Sequence, residues 1–131
     1  MIVDAIALLH VGDVVSIDNI YYDLGNSTIR PDAARELNKM VATMSRYPSL
    51  VIEIRAHTDS RGDAATNKDL STRRARAVAD HLASKGISRK RMLATGYGES
   101  MLVNNCTDGI ICTENEHQRN RRTEFKVLAI K

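Results

Sequence analysis

Tryptophan is absent from the 131-residue sequence, phenylalanine occurs once and tyrosine four times. The core must therefore rest on Ile, Leu, Val and Met, with tyrosine as the main aromatic. No apolar run approaches the ~20 residues that a membrane-spanning helix needs. The opening stretch, Ile2 to Val11, is short and broken by Asp4 and His10, and it lacks the basic start and cleavage pattern of a signal peptide. Charge of one sign is also lacking. The net charge of +3 is mild, and without a concentrated basic face it does not argue for nucleic acid. There is no internal repeat, low-complexity tract or second domain. Residues 1–131 read as one domain, with a core spanning about 14–130.

Cysteine is scarce too. Cys106 and Cys112 lie among Asn104, Asn105, Asp108 and Gly109, a loop-like composition. The ring between them is easy to close, and a disulfide in an oxidising compartment is the first reading. Two unlinked thiols are the plain alternative. A metal site with His117 as third ligand fits less well, because the spacing matches no zinc pattern and a fourth ligand is not evident.

What is present is regular alternation and helical periodicity. Val14 to Tyr22 is rich in β-branched and aromatic residues and predicts a first strand, ended by the turn Asp23 to Ser27. Pro31 opens a helix with Asp32 in its first turn. Ala33, Ala34, Leu37, Met40, Val41 and Met44 repeat at helical spacing until Pro48 stops the run. Leu50 to His57 alternates Leu50, Ile52, Ile54 and Ala56 with Val51, Glu53, Arg55 and His57, which predicts a half-buried strand with one polar side. A second helix is predicted from about Thr66 to Lys85, ending at Gly86. A third strand follows at Met92 to Tyr97, then a long polar loop over about 99–120, then a fourth strand through Thr123, Phe125, Val127 and Ala129. The order β-α-β-α-β-β argues for an α/β (α+β) fold of two layers, two helices on one face of a mixed four-stranded sheet.

Arg74 breaks the pattern of the second helix. Leu70, Ala75, Ala77, Val78 and Leu82 share one arc of the helical wheel, and Arg74 falls near its middle, whereas Arg73 and Arg76 point away. A guanidinium facing the core needs a carboxylate or a ligand. Asp59, in the polar turn Thr58-Asp59-Ser60-Arg61-Gly62-Asp63, is a candidate partner. With space between them, the two could grip a molecule carrying both an amine and a carboxylate. Arg61 and Gly62 read as serving the turn, and His81 as a hydrogen-bonded core histidine. Asn120-Arg121-Arg122 is either a solvated charge run or a means of placing a cation at the same end of the sheet as Asp59. A catalytic reading, with His57, Asp59 and Ser60 or Ser71, lacks any nucleophile-elbow signature. A phosphate patch at Arg73, Arg74 and Arg76 lacks an aromatic stacking platform.

His57-Thr58-Asp59-Ser60-Arg61-Gly62, then Asn67, then Leu70-Ser71-Thr72-Arg73-Arg74-Ala75 resembles the signature of OmpA-like peptidoglycan-binding domains. Gly96-Tyr97-Gly98-Glu99 and Asn120-Arg121-Arg122 fit the same family in order and spacing, as do Tyr21-Tyr22-Asp23 and Ile29-Arg30-Pro31. The resemblance covers roughly residues 18–130. It implies a non-catalytic module, without cofactor or metal, that holds the meso-diaminopimelate of the peptidoglycan stem. The family's two principal ligand contacts fall on Asp59 and Arg74, with Thr58, Asn67 and Arg121 as supporting contacts. Asp59 would accept from the ammonium of the ligand's D-centre, and Arg74 would pair with the adjacent carboxylate through two parallel hydrogen bonds. Thr66 stands where the family usually has a tyrosine.

The insertion bearing Cys106 and Cys112 is similar to that of Bacteroides-type outer-membrane proteins, which strengthens the disulfide reading and implies a periplasmic location. The resemblance also implies a missing N-terminal part, a barrel, repeat or lipid-anchored segment, that links the domain to the outer membrane. The wall anchor of a flagellar stator is an alternative within the family. A periplasmic cell-wall hydrolase using His57 and Asp59 is an alternative of another class. Oligomeric state is not readable from the sequence.

Overall fold

The computed structural model describes residues 10–16, 29 and 31–130. In chain order these form β1 (Val14–Ser16), α1 (Pro31–Arg46), β2 (Val51–His57), α2 (Ala64–Ser84), a 3-10 turn (Arg89–Arg91), β3 (Met92–Gly98), α3 (Glu114–Asn120) and β4 (Thr123–Ala129). The sheet order is β1-β4-β2-β3. Strands β2 and β3 are parallel, and β4 runs antiparallel to both β1 and β2. This is the expected mixed four-stranded sheet with helices packed on it. The remainder of the expected first strand, its turn, and the Tyr21-Tyr22-Asp23 motif lie outside the described residues.

Helix α1 begins at Pro31 with Asp32 in its first turn and buries Ala33, Leu37, Met40 and Met44. These meet Ile52, Ile54 and Ala56 of β2, Phe125 and Val127 of β4, and Ala75, Val78 and Leu82 of α2 in one core. Each of the larger side chains contributes roughly 1.5–3 kcal/mol by leaving water. Helix α2 starts two residues earlier than periodicity suggests. Asp63 caps it, its carboxylate accepting from the Thr66 N–H. Its close approach to β3 depends on Gly96, where an added Cβ would lie 2.2 Å from the Thr72 backbone nitrogen.

Two expectations need correction. The stretch 99–120 is not loop throughout, because it contains α3. Helix α3 carries no apolar periodicity, but Thr113 and Glu116 form a capping box at its start. Nor is the polar side of β2 open to solvent: Glu53, Arg55 and His57 are 8%, 9% and 1% exposed. Glu53 accepts from Thr95 Oγ1 (2.8 Å) and from the Tyr97 hydroxyl (2.9 Å). The Arg55 guanidinium lies 4.7 Å from the Tyr97 ring centre, and Met101 Sδ is 3.1 Å from Arg55 Nη2. Burial is tolerable because Glu53 and Arg55 find partners in β3 and the segment after it, and His57 finds Glu124 in β4.

Candidate functional site

Backbone pairing continues past the end of β2 on both sides. The His57 N–H donates to Arg122 O (3.0 Å), and the Thr58 N–H donates to Gly98 O (2.9 Å). Because β3 is parallel and β4 antiparallel to β2, three segments converge at one end of the sheet. These are the turn after β2, the residues after β3, and Arg121 just before β4. Gly62, at φ +89°, supplies the left-handed conformation that closes the turn.

Asp59 sits at this junction, 2% exposed. Its Oδ1 accepts from the Arg61 backbone N–H at 2.9 Å. Its Oδ2 accepts from Arg61 Nη2 (2.8 Å) and Nε (3.3 Å), and from Arg121 Nη1. Burial pushes its pKa upward, but the hydrogen bonds from Arg61 and Arg121 outweigh that and hold the carboxyl below the usual range. Asp59 is therefore a buried carboxylate whose ionised form is favoured. Arg121, 3% exposed, is no solvated charge: its Nη2 also donates to Glu114 and Gln118. Arg61 does more than serve the turn, since its guanidinium bridges Asp59 and Glu114, with Nη1 2.8 Å from Glu114 Oε2.

Arg74 is 1% exposed and belongs to the buried face of α2, with Arg73 and Arg76 outside, as the wheel predicts. Asn67 is buried, and its Nδ2 donates to the carbonyls of Arg61 (2.9 Å) and Asp59 (3.3 Å) and to Glu99 Oε1 (3.3 Å). It staples the Asp59 turn to α2. Thr58 is likewise buried, its hydroxyl donating to Asp59 O at 2.9 Å. Glu99 has its pKa raised, first by burial and then by the neighbouring Asp108 carboxyl.

Cys106 and Cys112 form a disulfide with Cα atoms 6.0 Å apart. Both sulfurs are consumed, which removes the thiolates that a metal site with His117 would need. The bridged loop leans on the site, because the Ser60 hydroxyl donates to Cys106 O. Asn120 secures the loop's other flank, accepting from the Val103 N–H at 2.7 Å.

The residues of the catalytic reading each have another hydrogen-bond partner. Ser60 is held by Cys106, and the Ser71 hydroxyl donates to Lys68 O while accepting from the Gly98 N–H at 2.8 Å. His57 Nε2 lies 2.8 Å from Glu124 Oε1, and its ring stacks on Tyr97 with centroids 5.5 Å apart. Burial lowers the His57 pKa, the Glu124 hydrogen bond opposing it. The neutral ring then donates from Nε2 to Glu124. Its buried Nδ1 has no hydrogen-bond partner among the described residues. His81 is only half-buried, with Nε2 3.0 Å from Asn38 Oδ1, so it is hydrogen-bonded but not in the core.

Arg61 and Glu114 are the site residues that sequence reasoning missed. The Thr113–Glu116 spacing was the available signal for Glu114, since it marks a helix start and places an acidic residue in the first turn.

The OmpA family model matches residues 21–121. The chain is 38% identical over 91 residues to a peptidoglycan-associated lipoprotein from Agrobacterium fabrum, covering 70% of this chain and 51% of that protein. It is 35% identical over 120 residues to outer membrane porin F from Pseudomonas fluorescens, covering 91% of this chain and 35% of that protein. The crystal structure of the peptidoglycan-associated lipoprotein from Burkholderia pseudomallei matches with a TM-score of 0.74 at 24% identity, covering 82% of this chain and 87% of that one. That likeness speaks for the fold. The chain spans about half the length of the first relative and about a third of the second.

Proposed function

The chain belongs to the OmpA family, and on that premise we propose that it binds peptidoglycan non-covalently and anchors an outer-membrane protein to the cell wall. Relatives named peptidoglycan-associated lipoprotein support the wall as partner, and the porin supports an outer-membrane setting. The finer reading is that the ligand is the meso-diaminopimelate of the stem peptide, met in the periplasm.

The observation that carries this is the ionised Asp59, buried at the end of the sheet with the buried Arg121 guanidinium on it, together with the buried Arg74 on α2. A fixed anion beside fixed cations is complementary to a molecule whose ammonium and carboxylate share one carbon. Asp59 accepts from the ammonium, while Arg74 pairs with the carboxylate, aided by Arg121. Lysine could not replace either arginine without losing the two-pronged geometry. Thr58 and Asn67 act by fixing the turn that presents Asp59. On this reading the module holds its ligand without covalent chemistry, and Ser60 and Ser71 serve the packing of the turn, the bridged loop and β3 against α2.

Co-sedimentation with purified sacculi tests the reading. Binding to sacculi with diaminopimelate stems, and much weaker binding to sacculi with lysine stems, is expected. Equal retention on both would remove the diaminopimelate assignment, and retention on neither would remove wall binding itself.

A further inference from the structure

Asp59 as it stands is already occupied by groups of the protein itself. Both carboxylate oxygens are engaged and the residue is 2% exposed. An ammonium approaching Oδ2 competes with the guanidinium groups of Arg61 and Arg121 bonded there. Arg121 is poorly placed to leave, because its side chain is 4% exposed and it also holds Glu114 and Gln118. Arg61 is better placed: its side chain is 37% exposed, and beyond Asp59 its guanidinium holds, among the described residues, only Glu114, itself 62% exposed.

Glu114 in turn lies across both arginines, one oxygen 2.8 Å from Arg61 Nη1 and the other on Arg121 Nη2. Glu114 thereby occupies Arg121, the guanidinium that on the reading above aids Arg74 in holding the ligand carboxylate. We propose that the free site is self-occupied by an internal ion pair, in which Arg61 fills the ammonium position on Asp59 and Glu114 fills a carboxylate position on Arg61 and Arg121. Ligand entry requires this latch to open, and the inference rests on the zwitterion-binding reading above.

The latch is suited to open. Its outer pair is solvent-exposed, and such pairs are weak. Its position is set by the bridged loop, since Thr113, directly after Cys112, caps α3 and fixes Glu114 in the first turn. Glu114 thus acts as a competitor carried by the protein, lowering apparent affinity and rejecting ligands that cannot displace both charges at once.

The test is calorimetric titration of a diaminopimelate muropeptide into the wild type and Glu114→Gln, with Arg61→Gln as a second variant. Thermal unfolding confirms that each is folded. Tighter binding by Glu114→Gln, about fivefold as expected for loss of an exposed ion pair, together with no weakening in Arg61→Gln, supports the latch. Equal or weaker binding by both variants, with the wild type binding, overturns the latch and leaves the proposed site standing. Binding by none of the three overturns both.

Discussion

The backbone at Gly96 lies against Thr72 so closely that a Cβ at position 96 would sit 2.2 Å from the Thr72 nitrogen and 2.6 Å from Ser71 Oγ. Backbone cannot yield as a flexible side chain can, so Gly96→Ala should force α2 away from β3. A loss of about 2–3 kcal/mol in unfolding free energy is expected from overpacking of this kind. Chemical denaturation checks it. Because α2 carries both Asn67 and Arg74, muropeptide affinity should fall in the same variant even where it remains folded.

Asn67 donates to two turn carbonyls as well as to Glu99. Asn67→Ala leaves the Arg61 carbonyl without this donor, while Asp59 O keeps the Thr58 hydroxyl, at about 1–3 kcal/mol. Ligand affinity should weaken through disorder of the Asp59 turn, not through a lost ligand contact. Amide exchange at residues 58–62 would report this as faster exchange in the variant. Unchanged exchange with lost affinity would instead put Asn67 in direct contact with the ligand.

Acid should destabilise the domain in two stages. Burial depresses the His57 pKa below its ordinary 6.5, so its contribution is complete above that value and is lost as pH falls through the folded pKa. The hydrogen bond from His57 and the pairing with Arg122 hold Glu124 down at about 2, against 4.5 ordinarily. Its contribution is present above 4.5 and drains away toward pH 2. That contribution is on the order of 2–3 kcal/mol. Unfolding free energies measured from pH 7 downward should therefore fall in both windows, and Glu124→Gln should make the lower one shallower, with the depressed Asp59 still titrating there.

Replacing Cys106 and Cys112 together by serine removes a short covalent ring, worth about 2 kcal/mol in the chain-entropy picture. A lower melting temperature with the sheet intact by circular dichroism is the expected result. The damage should concentrate in 99–120, because that segment reaches the site through Cys106 O and Glu114. Cross-peak shifts confined to this segment and to residues 58–62 would bear that out.

Much of the fold was legible because its signals are local. Pro31 and Pro48 bracket α1, and alternation marks the apolar face of β2. One arc of the wheel exposed the oddity of Arg74, which is buried as expected. Helix α3 escaped because Glu114 to Asn120 has no apolar stripe, leaving only the Thr113–Glu116 cap to announce it. The buried polar side of β2 was unreadable for another reason. Glu53 and Arg55 find their partners at Thr95, Tyr97 and Met101, more than forty positions away. The Asp59–Arg61 pair depends on the curl of the six-residue turn between β2 and α2, which residue type alone does not dictate.

Titration with a diaminopimelate muropeptide beside its lysine counterpart, for the wild type, Asp59→Asn and Arg74→Lys, bears most directly on zwitterion recognition by this site. Preference for the first ligand in the wild type is expected, with at least a tenfold loss in both variants, the scale of one charged hydrogen-bonded contact. Circular dichroism should show both variants folded. Equal affinity for the two muropeptides, or full affinity retained in the folded variants, would contradict it.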